Sequence, residues 1–173
     1  NLAPMSSLAN SRYGWVQTFL RNPEAAIKSF ETALEIDPNN ADTYFWFSEA
    51  LNYAGQPERA IEMGLTGLQF DPIAPPNALH HIAHGHFLSG DLAEAEEYEW
   101  RAIRMAPSFP PARIVMSAIL VEAGRVEEAK EQVADLLAID SDYTFQRFDE
   151  RYPYHDQEHH RRMTTAIKLA GIK

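Results

Sequence analysis

The 173-residue sequence contains no cysteine. Disulfides, cysteine nucleophiles and thiolate metal sites are thereby excluded, and a reducing cytosol is allowed without being required. Positive charge is also scarce: 15 Lys and Arg stand against 25 Asp and Glu, for a net charge of −10 with neutral histidines. That sign does not suit nucleic acid or an anionic membrane, where affinity comes from basic side chains neutralising phosphates. No apolar run approaches the roughly 20 residues of a spanning helix. No charged-then-apolar leader opens the sequence either, so a cytoplasmic location is expected. The first residue is Asn1 rather than Met, which suggests a processed chain or a piece excised from a larger one. Phosphate-cradling glycine loops and nucleophile–His–acid spacings are missing as well. What is left is globular composition, 45% hydrophobic and 23% charged, at a length that suits one domain spanning residues 1–173.

Internal repetition is what the sequence does have. Arg21-Asn-Pro-Glu-Ala-Ala26, Gly55-Gln-Pro-Glu-Arg-Ala60, Gly90-Asp-Leu-Ala-Glu-Ala95 and Gly124-Arg-Val-Glu-Glu-Ala129 share a pattern, and their closing alanines are 34, 35 and 34 residues apart. Twelve residues after each alanine come Pro38, Pro72, Pro107 and Ser141; twelve before come the small residues Gly14, Ser48, Ala83 and Ser117. A bulky residue precedes each of these, Tyr13, Phe47, Ile82 and Met116. Apolar residues recur at three- and four-residue spacing, the helical period. Asn22 before Pro23, Gln56 before Pro57, and Asp91 are helix-start signals, and the recurring proline ends the second helix of each unit. The spacing predicts helices at 7–20, 24–36, 41–54, 58–70, 77–89, 92–105, 111–123 and 126–139. Small residues let paired helices approach, and the bulky neighbour should fill the space between units. One such hairpin cannot bury its apolar face alone, so the units must stack.

This 34-residue pattern resembles the tetratricopeptide repeat family. The resemblance implies an all-α solenoid of αα-hairpins, a right-handed superhelix of four repeats at about 7–40, 41–75, 76–109 and 110–143. Residues 144–173 would form a connector and a capping helix on which Met163, Ile167 and Ala170 make one apolar stripe. Three departures stand out. Gly64 and Gly67 replace the family's usual aromatic and alanine, marking either a soft spot or a place of close packing. Glu99 replaces the same aromatic in the third repeat. The insertion in Asp71-Pro-Ile-Ala-Pro-Pro76 produces the spacing of 35. A second resemblance lies in Phe145-Gln-Arg-Phe148, Arg151-Tyr-Pro-Tyr154 and Leu169-Ala-Gly171. This is similar to the C-terminal region of bacterial signalling proteins in which such repeats follow an adenylate or guanylate cyclase domain or a winged-helix domain.

The family resemblance places function in the concave groove formed by the first helices of the repeats. Its groove positions fall on Trp15, Phe19, Phe45, Glu49, Tyr53, His80, His84, Phe87 and Ile114, with Asp42 and Glu122 nearby. The set is aromatic and lacks Lys and Arg. It implies a protein or peptide partner, apolar or helical, with a basic residue to meet Asp42, Glu49 or Glu122. On this reading Phe45→Lys with Phe87→Lys abolishes binding and leaves helicity intact. Neither catalysis nor a cofactor is expected. Two alternatives stay open. Exposed apolar end repeats offer self-association into a homo-oligomer. His80 and His84, four residues apart on one helical face, offer with Glu49 a metal-dependent hydrolase site. The zinc-protease pattern, however, requires Glu where His81 stands. The terminal helix is also free to fold into the groove of its own chain.

Overall fold

The computed structural model describes residues 6–173. Among them are ten helices and no strand: α1 (Ser7–Phe19), α2 (Pro23–Ile36), α3 (Ala41–Ala54), α4 (Pro57–Phe70), α5 (Pro76–Ser89), α6 (Leu92–Met105), α7 (Pro110–Glu122), α8 (Val126–Ile139), α9 (Phe145–Arg151) and α10 (Gln157–Leu169). The first eight pair as consecutive antiparallel hairpins and stack side by side into a solenoid. The four helices that begin with proline, α2, α4, α5 and α7, include it as their first residue. Its fixed φ suits that position, and its missing N–H would have had no partner there. Ser6, Asn22, Asn40 and Asp91 accept hydrogen bonds from backbone N–H groups of the first turns they cap. The hairpin turns place Gly55, Gly90 and Gly124 in the left-handed region, and Arg21 occupies the same place in the first hairpin at φ 58°.

Hairpin closure rests on the repeated small residues. Ala26, Ala60, Ala95 and Ala129 are each at most 1% exposed. Between hairpins the bulky position behaves as the sequence predicts in three cases, since Phe47, Ile82 and Met116 are buried; the Phe47 ring stacks on Phe30 with centroids 5.3 Å apart. Tyr13 does not follow: it is 47% exposed, because it lies on the outward side of the end hairpin.

The two glycines of α4 mark close packing. A Cβ on Gly64 would strike the Ile82 side chain, and a Cβ on Gly67 would lie 2.5 Å from Cε1 of Phe45. Large side chains from α3 and α5 therefore press against bare α4 backbone. At the other end, α10 lays its stripe of Met163, Ile167 and Ala170, all buried, against α7. The connector is itself partly helical, as α9, and the Phe145 N–H donates to the carbonyl of Lys173 at 2.7 Å.

Gly67→Ala tests this packing with two opposed effects. Alanine favours the helix by about 1 kcal/mol, whereas forcing a methyl against a buried ring costs about 1–3 kcal/mol. The expected outcome is net destabilisation, read as a lower urea midpoint. A higher midpoint would show that the Phe45 ring can step aside.

Candidate functional site

The odd-numbered helices α1, α3, α5 and α7 line the concave face, and the chain's own tail covers part of it. From α9 the backbone runs through Tyr152-Pro-Tyr154 back to the second repeat, where the His155 N–H donates to the Tyr53 carbonyl at 2.8 Å. Phe148 stacks on Tyr152, and the Tyr154 ring meets Tyr53 edge-on at 5.2 Å. The Tyr154 hydroxyl lies 2.7 Å from Nε2 of His84. Gly55 is fixed by this arrangement twice over, once by its φ of 82° and once by Asp156, whose Cβ would sit 2.9 Å from an added Cβ. Farther along, Arg162 donates to the carbonyls of Phe87 and Leu88 at the end of α5, pairs with both oxygens of Glu122, and lies over the Phe87 ring at 4.9 Å. A cation on the last carbonyls of a helix is favourable in itself. The tail thus closes the face over the C-terminal ends of α3, α5 and α7.

The face stays open over the rest. A cavity of about 600 Å³ is lined by Arg12, Trp15, Val16 and Phe19 of α1, Trp46, Glu49 and Tyr53 of α3, and Asn77, His80 and His81 of α5. Phe109, Pro111, Arg151 and Tyr152 complete the wall. Aromatic rings continue from one wall to the next: Trp15 on Phe19 at 4.8 Å, Phe19 edge-on to Tyr53 at 6.3 Å, and Phe109 edge-on to His80 at 5.4 Å.

Of the residues placed in the groove by resemblance, Trp15, Phe19, Glu49, Tyr53 and His80 line this cavity. His84 sits behind it against Tyr154. Phe45, Phe87 and Ile114 are each at most 1% exposed and belong to the interhelical core. Phe45 lies against Gly67, Ala74 and Ala78, and Phe87 is sealed by Arg162. Phe45→Lys with Phe87→Lys is therefore a disruption of the core, because it buries two ammonium groups without partners. The residue of α3 that turns to the cavity is Trp46, three positions before Glu49 and seven before Tyr53 on one helical face. Arg12 and Arg151, absent from the expected groove, supply the cations.

The histidine cluster serves the wall of this site. His80 Nδ1 and Glu99 Oε1 are 2.8 Å apart, both residues are buried, and Glu99 Oε2 has no hydrogen-bond partner among the described residues. Burial pushes His80 down to about 3 and pushes the Glu99 carboxyl well up. An ionised carboxylate with one oxygen unpartnered in the core would be costly, so the neutral pair is favoured, the carboxyl O–H donating to Nδ1. This is the physical replacement for the aromatic missing at position 99. His81 donates from Nδ1 to the Phe45 carbonyl at 3.0 Å, and its Nε2 faces Glu49 at 3.7 Å. Burial lowers His81 and, together with the neighbouring histidines, lowers His84. Glu49 therefore stands beside His81 and not between His80 and His84. Among the described residues no group of three His, Asp or Glu side chains is placed to hold a metal ion.

The pair has a signed pH dependence. His80, held below its ordinary 6.5, contributes stability that is present above 6.5 and is lost as pH falls towards about 3. Glu99, held above its ordinary 4.5, contributes stability present below 4.5 and lost as pH rises towards its folded value. Glu99→Gln keeps a donor for Nδ1 and removes the titration. The variant is expected to gain stability relative to the original chain as pH rises above 4.5, read by urea unfolding at several pH values. A difference between variant and original that stays constant with pH would show that folding does not raise the Glu99 carboxyl.

Models described as tetratricopeptide repeat match residues 9–40, 29–62 and 86–146, together about two thirds of the chain. No curated protein matches the sequence significantly. Among solved structures, a thermophilic tetratricopeptide-repeat protein of Thermus thermophilus is similar at TM-score 0.72 and 18% identity, covering 94% of this chain and 100% of that one. PilW, a type IV pilus biogenesis factor, is similar at TM-score 0.73 and 19% identity, covering 94% and 74%. YrrB, described as a tetratricopeptide-repeat protein with an unusual peptide-binding site, is similar at TM-score 0.63 and 17% identity, covering 95% and 84%. At these identities the likeness is one of fold. With the repeat period, the paired helices and the matched models in agreement, this chain belongs to the tetratricopeptide repeat family.

Proposed function

We propose that this chain is a non-catalytic recognition module that takes a peptide segment of a partner protein in the cavity between α1, α3, α5 and the tail. The observation that carries the reading is the set of half-exposed aromatics around an opening of about 600 Å³: Trp15 is 45% exposed and Phe19 37% exposed at its wall. Aromatics of this kind are strong contact residues because they bury much area at little entropic cost. Stacked hairpins hold one side and the anchored tail holds the other, so binding loses little ordering entropy. A peptide-binding relative of the same fold, YrrB, supports this use of the fold. The tail sequence, with its likeness to regions that follow cyclase or winged-helix domains, is the basis for reading the module as the regulatory part of a larger bacterial signalling protein.

Self-association is a second reading, favoured by the outward side of α1 and its C-cap, where Leu8, Tyr13 and Leu20 are 51%, 47% and 67% exposed. Under it, mass measured by sedimentation rises with concentration and Tyr13→Lys with Leu20→Lys keeps the chain monomeric.

Trp15→Ala separates the two. Its half-exposed ring makes the change mild for the fold, within about 1 kcal/mol. A partner captured from lysate by the original chain is expected to lose about 2 kcal/mol of affinity to the variant, measured by titration of that partner. Unaltered affinity would place recognition elsewhere.

A further inference from the structure

Six arginines, Arg59, Arg113, Arg125, Arg147, Arg161 and Arg162, pair with Asp or Glu side chains. In a chain with 25 acids and 15 bases such pairing is easily met. Arg12 and Arg151 make no ion pair among the described residues, and both line the apolar cavity. They arrive there from opposite ends of the chain, Arg12 on α1 and Arg151 at the end of α9. The wall carries one carboxylate, Glu49, which faces His81 at 3.7 Å. His80 adds a third polar group: its Nδ1 is held by Glu99, and its Nε2 makes no hydrogen bond among the described residues. With the carboxyl O–H donating to Nδ1, Nε2 carries the hydrogen and is a donor on the cavity wall. Two guanidinium groups, one imidazole N–H and the Glu49 carboxylate thus line an opening whose wall also includes Trp15, Phe19, Trp46 and Tyr152.

Resting on the groove reading above, we propose that the occupant of this cavity is a partner peptide in which an Asp or Glu lies beside a bulky apolar side chain. The apolar side chain enters between Trp15, Trp46 and Phe109, and the carboxylate meets Arg12 and Arg151, for which guanidinium geometry is suited. This reverses the basic partner that the groove's sequence suggests. Glu122, one of the acids that suggestion relied on, is already taken by Arg162. The local excess of positive charge within an acidic molecule also directs such a peptide to this place in preference to the rest of the surface.

The test pans a displayed library of random short peptides on the chain and measures the selected peptides against three proteins: the original, Trp15→Ala, and Arg12→Glu with Arg151→Glu. All three substituted residues are exposed, and circular dichroism checks that each variant is folded. The expected result is enrichment of Asp or Glu next to Phe, Leu, Ile or Trp, with affinity falling about tenfold or more on charge reversal and weakening as salt rises. Enrichment of basic or uncharged peptides, or indifference to charge reversal, overturns the acidic partner; if those peptides still need Trp15, the groove reading survives. Peptides that bind without needing Trp15 overturn both. Failure to select any peptide also overturns both, and if mass then rises with concentration the occupant is a second copy of the chain.

Discussion

At Ala26, Ala60, Ala95 and Ala129 the two helices of a hairpin meet with nothing larger than a methyl group on the second helix, and all four are buried to within 1%. That closeness sets the separation of the paired helices and the size of the ridge each hairpin offers to the next. Gly14 follows the same logic, since a Cβ there would lie 2.9 Å from the Phe30 ring. Gly67 repeats it within the second hairpin, where Phe45 uses the space its missing side chain leaves, and Gly64 extends it to the contact between hairpins, where Ile82 does the same. Helix propensity argues against two glycines in one helix. Packing overrides it, because a ring pressed against backbone buries more apolar surface than a methyl group would.

The concave face inherits its shape from this packing, and the tail then divides it. Tyr154 and Arg162 are the chief fastenings, one on His84 and the other on the last carbonyls of α5 and on Glu122. Each satisfies groups that would otherwise be left polar and partly buried. The same folding-back carries Arg151 and Tyr152 to the cavity wall. A tail that caps the solenoid therefore also supplies part of the candidate site.

Buried histidines give the wall its chemistry. His80, His81 and His84 lie within five residues of sequence and each is 5% exposed or less, yet their partners lie on three different segments: Glu99 on α6, the Phe45 carbonyl on α3, and Tyr154 in the connector. Two of these histidines lie at the spacing used for metals. Here each ring is committed to its own partner, and Glu49 stands with His81.

Much of the fold was legible because its signals are local. The repeated alanines, the prolines at helix starts and the glycines at turns act within a few residues of themselves, and the first eight helices begin and end within a residue of the expected limits, whereas α9 in the connector was not expected. The α10 stripe was legible for the same reason. Facing was harder to read. Phe45 and Trp46 are neighbours of similar character, and tertiary packing turns Phe45 inward against Gly67, Ala74 and Ala78 while Trp46 reaches the cavity wall. Glu99 departs from the repeat pattern, and its partner His80, nineteen residues away, is brought beside it only by the packing of α5 on α6. The sequence alone determined the hairpins, their period and their stacking, because helix period and the need to bury one face are properties of short segments. Only the tertiary structure decided which part of the concave face stays open and that Arg12 and Arg151 share one cavity. That outcome depends on contacts such as Tyr154 with His84, made between residues 70 apart, and no local pattern encodes them.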